Sequence, residues 1–438
     1  MSKVSRRNFL ITAGASAAAT MLIHGCSSSN STSSASPEAS SSSPVASIDA
    51  PEVTTATLGF IALTDSAPLI IAKEKGIFDK YGMTGVNVVK QASWGTTRDN
   101  IVLGSGGGGI DGAHILTPMP YLITTGKVTD GKPVPMYILA RLNTNGQGIQ
   151  LSKTYEGLKV GMDSTPLKQE FAKAKAGGKE VKVAVTFPGG THDLWMRYWL
   201  AAGGINPDTD VSTIVVPPPQ MVANIKTGTM EAFCVGEPWP LQTVNQGVGY
   251  SALTTGELWK DHPEKAFAMR ADWVDQHPKA AKAILMAVLE AQQWCDKDEN
   301  KEEMCKILAK REWFKVPYED IIDRSVGKFN LGTRQLESTD LMQKYWRDNA
   351  SYPYKSHDQW FLTEHIRWGM LAPDFDTKAL VDKVNREDLW REAAKTLGVA
   401  DSEIPTSPSR GVETFFDGKT FDPENPQAYL DSLAIKKI

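Results

Sequence analysis

Cysteine is scarce in this sequence, and the spacing of its cysteines excludes several kinds of site. The four are Cys26, Cys234, Cys295 and Cys305, and no two of them form a CxxC pair. Zinc sites and disulfide frameworks both depend on closely or regularly spaced cysteines. The sequence therefore predicts neither, and only a single bond between Cys295 and Cys305 stays open.

The sequence also lacks a strong excess of charge of either sign. Its formal net charge is −4 and its isoelectric point is about 6.0. Chains that bind nucleic acid normally carry a basic patch or stripe. Nucleic acid is therefore not an expected partner.

Motifs of the common hydrolases are missing as well. No HExxH and no GxSxG pattern occurs, and the glycine-rich stretch 104–109 is not followed by the Gly-Lys-Ser/Thr of a phosphate-binding loop. A pair of Cys234 with His192 is the remaining candidate for catalysis, but the surroundings of Cys234 favour a buried strand end. We therefore expect no enzymatic activity, no metal and no cofactor.

The N-terminal segment, residues 1–25, predicts an export signal. Lys3, Arg6 and Arg7 precede an apolar run over 9–23, which is shorter than the roughly 20 residues that span a bilayer. The arginine pair resembles a twin-arginine signal, although the general secretory route stays open. A permanent transmembrane helix is not expected here.

The next segment, 26–50, predicts a lipid anchor and a tether. Leu22-Ile23-His24-Gly25-Cys26 resembles a bacterial lipobox, in which His24 is the unusual residue. Residues 27–48 are almost wholly Ser, Thr, Ala, Pro and Asn, with a single charge at Glu38. Such a segment cannot bury enough apolar surface to offset the entropy lost on ordering it. We expect Cys26 to be acylated and the residues after it to form a flexible tether.

The body of the chain alternates strand and helix patterns in two series. The first begins with a strand at 55–63 and a helix at 66–80, and the second begins with a strand at 158–162. Such alternation is typical of βαβ units and predicts parallel sheets. We expect an α/β protein of two lobes with a cleft between them. The predicted division is a first part of lobe 1 at 51–155, lobe 2 at 156–245, and a return to lobe 1 with a C-terminal extension at 246–438.

Three segments place a short polar or glycine-containing turn before a helix. They are Thr64–Ser66, Ser93–Thr97 and Pro188–His192. A helix N-terminus offers unpaired N–H groups, and in an α/β sheet these turns fall at the carboxyl ends of the strands, where ligands bind. The pattern favours an anion site, although each turn by itself is also compatible with an ordinary helix cap.

Five segments of the body resemble one family closely. They are Leu58–Asp65, Gln91–Asn100, Gly109–His114, Thr191–Trp195 and Gly236–Pro240. Together with the leader and the stretch 409–418, they are similar to the cyanobacterial-type nitrate and bicarbonate solute-binding lipoproteins of ABC transporters. The resemblance implies a two-lobed C-clamp related to the type II periplasmic binding proteins, with the ligand in the cleft.

The resemblance also implies which residues hold the ligand. Carried over residue by residue, the nitrate-contacting positions are Trp94, Gln147, His192, Gly236 and Lys265. Nitrate has acceptor oxygens and no proton to give, so we expect hydrogen-bond donors there and no buried carboxylate facing the ligand. Lys265 supplies a full charge, and His192 donates when neutral or more strongly when protonated.

The function that the resemblance implies is high-affinity binding of nitrate, with nitrite as a further ligand, and delivery to the permease and ATPase of an ABC uptake system. We expect a monomer held by its lipid on the periplasmic face of the plasma membrane. Two alternatives stay open. In the bicarbonate-binding relatives an acidic residue replaces the lysine, Asn or Gln takes the place of the histidine, and calcium takes part. A tethered nitrate sensor is the other alternative.

Overall fold

A computed structural model describes residues 49–437 of the chain. The predicted export signal, Cys26 and all but the end of the predicted tether lie outside the described residues.

The strands alternate with helices along the whole body. In chain order they are β1 (Thr55–Phe60), β2 (Gly85–Lys90), β3 (Gly112–Leu116), β4 (Met136–Arg141), β5 (Gln147–Ser152), β6 (Lys182–Val185), β7 (Ser212–Val215), β8 (Ala232–Gly236), β9 (Gly249–Thr254), β10 (Lys265–Arg270), β11 (Lys328–Asn330), β12 (Gln335–Glu337), β13 (Glu413–Thr414) and β14 (Thr420–Phe421).

The helices are mostly short, and none in the described part is long and apolar enough to cross a membrane. In chain order they are α1 (Ala67–Glu74), α2 (Ile77–Lys80), α3 (Trp94–Leu103), α4 (Met119–Thr124), α5 (Thr165–Ala176), α6 (Thr191–Ala202), α7 (Met221–Lys226), α8 (Trp239–Asn245), α9 (Ala271–Gln276), α10 (Pro278–Asp296), α11 (Lys301–Ala309), α12 (Ile322–Ser325), α13 (Lys355–Arg367), α14 (Thr377–Val384), α15 (Glu387–Thr396) and α16 (Pro426–Ser432).

Two five-stranded sheets form the centres of two lobes. The first has the order β2-β1-β3-β10-β4 and the second has the order β7-β6-β8-β5-β9. Four strands of each sheet run in one direction, as the βαβ pattern predicts, whereas β10 in the first sheet and β5 in the second run antiparallel to both neighbours. The prediction of a two-lobed α/β fold is confirmed, and the predicted parallel arrangement fails at one strand of each sheet.

The two antiparallel strands have a common origin. Each is the first strand after the chain has crossed from one lobe to the other, β5 on the way into the second lobe and β10 on the way back. Each enters its new sheet from the side of the other lobe. It therefore runs antiparallel to the other strands of that sheet. Its first residue consequently lies at the edge where the parallel strands end.

The lobe boundaries differ from the predicted ones. The second sheet extends from Gln147 to Thr254, beyond 156–245 in both directions, and the segment 158–162 forms no strand. Gln147-Gly148-Ile149-Gln150 has too few apolar residues to stand out as a strand, and its identity as one depends on pairing with β8 and β9.

The first predicted helix is also interrupted. A 3-10 turn at Thr64–Ser66 leads into α1, and Gly76, with φ of 65°, separates α1 from α2. That backbone angle is accessible to glycine at low cost and ends the helix.

The C-terminal extension contacts both lobes rather than the first lobe alone. Asp358 of α13 pairs with Arg141 at the end of β4, in the first lobe. Two residues further on, the ring of Trp360 stacks on Trp195 of α6 in the second lobe, with centroids 5.0 Å apart. The extension therefore spans the junction between the lobes.

Candidate ligand-binding site

The predicted site residues come together where the parallel strands of both sheets end. In the first lobe, Trp94 begins α3 after β2, and Lys265 begins β10 and pairs with Leu116 at the end of β3. In the second lobe, His192 lies in the first turn of α6 after β6, and Gln147 begins β5 opposite Gly236 at the end of β8. The two antiparallel strands thus place Gln147 and Lys265 at the ligand-binding edge of each sheet.

Lys265 lies at the centre of this group and is fully buried. Its Nζ is 2.9 Å from Oδ2 of Asp65, 2.8 Å from Oε1 of Glu264 and 3.4 Å from Oε1 of Gln147. Three acceptor atoms thus surround an ammonium group that has three N–H donors. Burial lowers the pKa of Lys265, but the charges of Asp65 and Glu264 outweigh burial and raise the pKa above its ordinary value.

Gln147 links the two lobes. Its Nε2 donates to Oδ2 of Asp65 at 3.1 Å, and its Oε1 lies 2.7 Å from Nε2 of His192. A carboxylate only accepts hydrogen bonds, so the contact with Asp65 fixes which end of the amide faces which neighbour.

His192 is consequently a neutral donor. Because Oε1 of Gln147 accepts, Nε2 of His192 carries the proton, and Nδ1 accepts from the hydroxyl of Thr186 at 2.6 Å. Burial and then the charge of Lys265 lower the pKa of His192 well below its ordinary value. Of the two protonation states that the sequence left open, the structure favours the neutral one.

Trp94 contributes a donor that is not in use. Its indole Nε1 is buried and has no hydrogen-bond partner among the described residues. Its ring lies beside that of His114, with centroids 5.3 Å apart, and Nζ of Lys265 is 5.9 Å from the centroid of the indole. Buried N–H groups are nearly always paired, so an unpaired one in this group of residues indicates a place for an acceptor.

Gly236 allows the close approach of its neighbours. A Cβ atom at this position would lie 2.6 Å from Oε1 of Gln147 and 3.3 Å from Oδ2 of Asp65. Any larger residue would displace the amide that connects the two lobes.

The sequence predicts no buried carboxylate facing the ligand, and the structure places two buried carboxylates against Lys265. Asp65 and Glu264 are both fully buried and both contact Lys265. Burial opposes ionisation of Asp65, but Lys265 and His114 hold its pKa well below the ordinary value. Burial raises the pKa of Glu264, and Lys265 only partly offsets this.

Both carboxylates already have donors from several elements. Asp65 accepts from Nε2 of His114, and Glu264 accepts from the hydroxyl of Thr191 and, at 2.8 Å, from Nε1 of Trp195. The sequence contains an indication of each residue, since Asp65 lies at a predicted helix start and Glu264 adjoins Lys265. Neither indication predicts the direction in which the side chain points.

The structure gives no support to a catalytic cysteine. Cys234 lies in the middle of β8, and burial raises its pKa well above the ordinary value. Both ring nitrogens of His192 are engaged elsewhere, by Thr186 and Gln147. A thiolate activated by a neighbouring base is therefore not present. Cys295 and Cys305 are free, buried thiols.

No group of three or more His, Cys, Asp and Glu side chains within 49–437 is arranged to hold a metal ion.

Comparison with known proteins identifies the group to which the chain is similar. The NMT1-like family matches residues 49–309. The nitrate/nitrite binding protein NrtA of Synechocystis is 72% identical over all of this chain and 99% of that protein. The bicarbonate-binding protein CmpA of Synechococcus elongatus is 45% identical over 99% of this chain and 98% of that protein.

A solved structure matches as well. The crystal structure of the periplasmic nitrate-binding protein NrtA from Synechocystis superimposes with a TM-score of 0.87 at 76% identity, covering 88% of this chain and all of that one. The chain therefore belongs to the NMT1-like family, in the group of solute-binding proteins that includes both the nitrate/nitrite- and the bicarbonate-binding members.

Proposed function

We propose that this chain is the solute-binding component of an ABC uptake system and that its ligand is nitrate, with nitrite as a further ligand. The observation that carries the proposal is the unpartnered, buried N–H of Trp94, whose ring centroid lies 5.9 Å from Nζ of Lys265. Nitrate offers only acceptor oxygens, and the site has a donor to spare. The 72% identical relative is named as a nitrate/nitrite binding protein, which supports the same ligand.

Binding requires the lobes to open and close. Hydrogen bonds now join them directly, from Thr64 N to Glu237 O at 2.8 Å and from Nε1 of Trp239 to Ala62 O at 3.0 Å. The site residues between the lobes are fully buried. An anion enters when these contacts separate, and the closed form then docks on the membrane permease, without a chemical change in the ligand.

Bicarbonate is the second candidate, and the two buried carboxylates favour it. Bicarbonate carries a hydroxyl group, for which Asp65 or Glu264 could act as acceptor. Two observations argue against bicarbonate. Both carboxylates already accept hydrogen bonds, and the indole N–H of Trp94 has no acceptor among the described residues.

Calorimetric titration separates the candidates. The purified protein is titrated in turn with nitrate, nitrite, bicarbonate and sulfate. Tight binding of nitrate and weak or no binding of bicarbonate is expected. Tight binding of bicarbonate with none of nitrate contradicts the proposal.

The remaining parts of the proposal concern the location. Residues 1–25 direct export, Cys26 carries the lipid and the tether holds the monomeric protein on the periplasmic face of the membrane, where it meets the permease and ATPase. Cys26→Ser is expected to release the protein from membranes without changing its affinity for nitrate. Membrane association that survives this substitution argues against the anchor.

A further inference from the structure

The site contains more negative than positive charge before any anion arrives. Asp65 and Glu264 share the single ammonium of Lys265, and all three are fully buried. His192 and His114 add no charge, because burial lowers the pKa of each. A monoanion that binds here adds a further negative charge to a water-excluded site, where charge repulsion is strong.

Lys265 already has as many acceptors around it as it has donors. Its Nζ lies within 3.4 Å of oxygens of Asp65, Glu264 and Gln147, so a ligand oxygen competes with them for the three N–H groups. To bind an oxygen of the ligand it has to give up one of these contacts. The contact that can be given up at least cost is one whose partner loses its charge.

We propose that Glu264 takes up one proton from solvent as the anion binds, so that nitrate enters the site together with a proton. The inference rests on the proposed function. The step forms one O–H bond on the carboxylate of Glu264, and solvent or buffer acid supplies the proton while the lobes are open. Lys265 is then shared between Asp65 and the anion.

The hydrogen-bond partners of Glu264 can accommodate the added proton. Thr191 now donates its hydroxyl to Oε1 of Glu264, and Nε1 of Trp195 donates to Oε2. A hydroxyl both donates and accepts, so Thr191 can turn and accept from a protonated Glu264. The bond from Trp195 to the other oxygen is unaffected.

Asp65 has no such partner. Nε2 of Gln147, Nζ of Lys265 and Nε2 of His114 all face it as donors. The other ring nitrogen of His114, Nδ1, faces the backbone N–H of Ile61 at 3.5 Å, which favours the tautomer with the proton on Nε2. A proton on Asp65 would therefore meet a donor at every side.

The other titratable groups around Glu264 are less suited to take the proton. His192 lies 3.8 Å away, and both of its nitrogens are engaged. His262 lies 3.7 Å away and is held by Thr255 and by the carbonyl of Pro263, and burial lowers its pKa to about 3. The titratable groups that interact with Glu264 are Lys265, His114, His192, His262 and Cys234, and Asp65 shares Lys265 with it.

The proposal gives a definite sign to the pH dependence. The pKa of Glu264 is higher with the anion bound than without it. Binding is therefore tightest below the pKa of the free protein and weakens as pH rises through the pKa of the complex. Between the two values, Kd rises by up to about tenfold per pH unit.

The test is calorimetric titration of the full-length protein with sodium nitrate between about pH 5 and about pH 9, each in two buffers of different ionisation enthalpy. The difference in observed binding enthalpy between the two buffers gives the number of protons taken up. Uptake approaching about one proton per nitrate, in the pH range where Kd changes, is expected. Nitrate binding with no uptake at any pH overturns this inference alone, whereas absence of nitrate binding overturns the proposed function.

Two variants identify the group. Glu264→Gln is neutral at every pH, so it is expected to lose the proton uptake, to show a flat Kd and to bind more tightly than the native protein at high pH. Glu364→Gln is the matched control, since Glu364 is also fully buried but contacts Arg367 and Trp368, and it keeps the uptake. Uptake that persists in Glu264→Gln overturns the assignment.

Thr191→Val serves as a second test that does not alter a charge. It removes the hydroxyl that would accept from the protonated carboxyl group. The pH at which affinity falls is expected to move down by a measurable amount, while a merely structural role of Thr191 would weaken binding equally at all pH values. An unshifted profile contradicts the proposal.

Discussion

Two buried charge clusters in this protein are built from similar groups but are balanced differently. The arginine cluster consists of Arg141 and Asp358, and the lysine cluster consists of Asp65, Glu264 and Lys265. In both, the side chains are almost fully excluded from solvent. The arginine cluster pairs one cation with one anion, whereas the lysine cluster has two anions for one cation.

The carboxylate of the arginine cluster has donors from three side chains. Asp358 accepts from Arg141 at 2.8 Å, from the hydroxyl of Tyr121 at 2.6 Å and from Asn385 at 2.7 Å. Those donors come from the first lobe and from the extension, so the cluster fastens one to the other. We therefore expect the balanced cluster to serve the fold and the unbalanced cluster to be the one that responds to a ligand.

The largest expected effect comes from breaking the balanced cluster. Arg141→Met leaves Asp358 buried without its cation and is expected to lower the free energy of unfolding by about 3–5 kcal/mol. Affinity for nitrate is expected to stay unchanged. Urea denaturation and calorimetry measure the two quantities. Arg386→Met, in a partly exposed pair with Asp388, is the control and should cost under about 1 kcal/mol. A loss of affinity in Arg141→Met would contradict the division of roles.

In the lysine cluster, loss of the cation should change the affinity for nitrate. Lys265→Met removes the cation that compensates the anion and is expected to weaken nitrate binding by about 2–5 kcal/mol, as for other broken buried charge pairs. Lys301→Met is the matched control, because Lys301 is only 2% exposed and lies 3.6 Å from Asp296, outside the site. Equal losses of affinity in both variants would show that loss of any buried lysine weakens nitrate binding, and would contradict a specific role of Lys265.

A smaller effect is expected from steric displacement in the site. Gly236→Ala places a Cβ 2.6 Å from Oε1 of Gln147, and such overpacking typically costs about 1–3 kcal/mol. The cost should appear in nitrate affinity, because Gln147 is the residue that moves. Gly161→Ala is the control, since the nearest atom to its Cβ would be 3.8 Å away. Unchanged affinity in Gly236→Ala would exclude the close packing as a feature of the site.

The smallest expected effect concerns a single donor. Trp94→Phe removes the unpartnered indole N–H and is expected to weaken nitrate binding by about 1 kcal/mol, the usual net value of a hydrogen bond. Trp199→Phe is the contrasting variant, because its indole donates to the carbonyl of Met162 at 2.9 Å. It should lose stability and keep its affinity. If Trp94→Phe binds nitrate as the native protein does, the observation that carries the proposed function is lost.

Much of the local structure could be predicted from the sequence. The apolar face of Pro278–Ala291 predicts a packed helix, and α10 is that helix, with most of its side chains buried. The five candidate ligand residues were selected by resemblance, and the structure brings all five together. Their role as nitrate ligands stays a prediction.

The parts that could not be predicted are contacts between distant segments. Gln147 and Asp65 are 82 residues apart in the sequence, and Lys265 and Gln147 are 118 apart. Periodicity reports whether a residue is buried locally, but it carries no information on which side chain from another lobe lies opposite. For the same reason the antiparallel direction of β5 and β10 and the contact of Trp360 with the second lobe were missed.

The sequence by itself determined the alternation of strands and helices, the two lobes and the family, because these depend on local patterns and on short matching segments. Only the tertiary structure decided the charge of the site. Asp65 and Glu264 become partners of Lys265 through the crossing of the chain between lobes, and burial then makes their charges costly. Whether a site is balanced or unbalanced is a property of packed neighbours, and no local pattern encodes it.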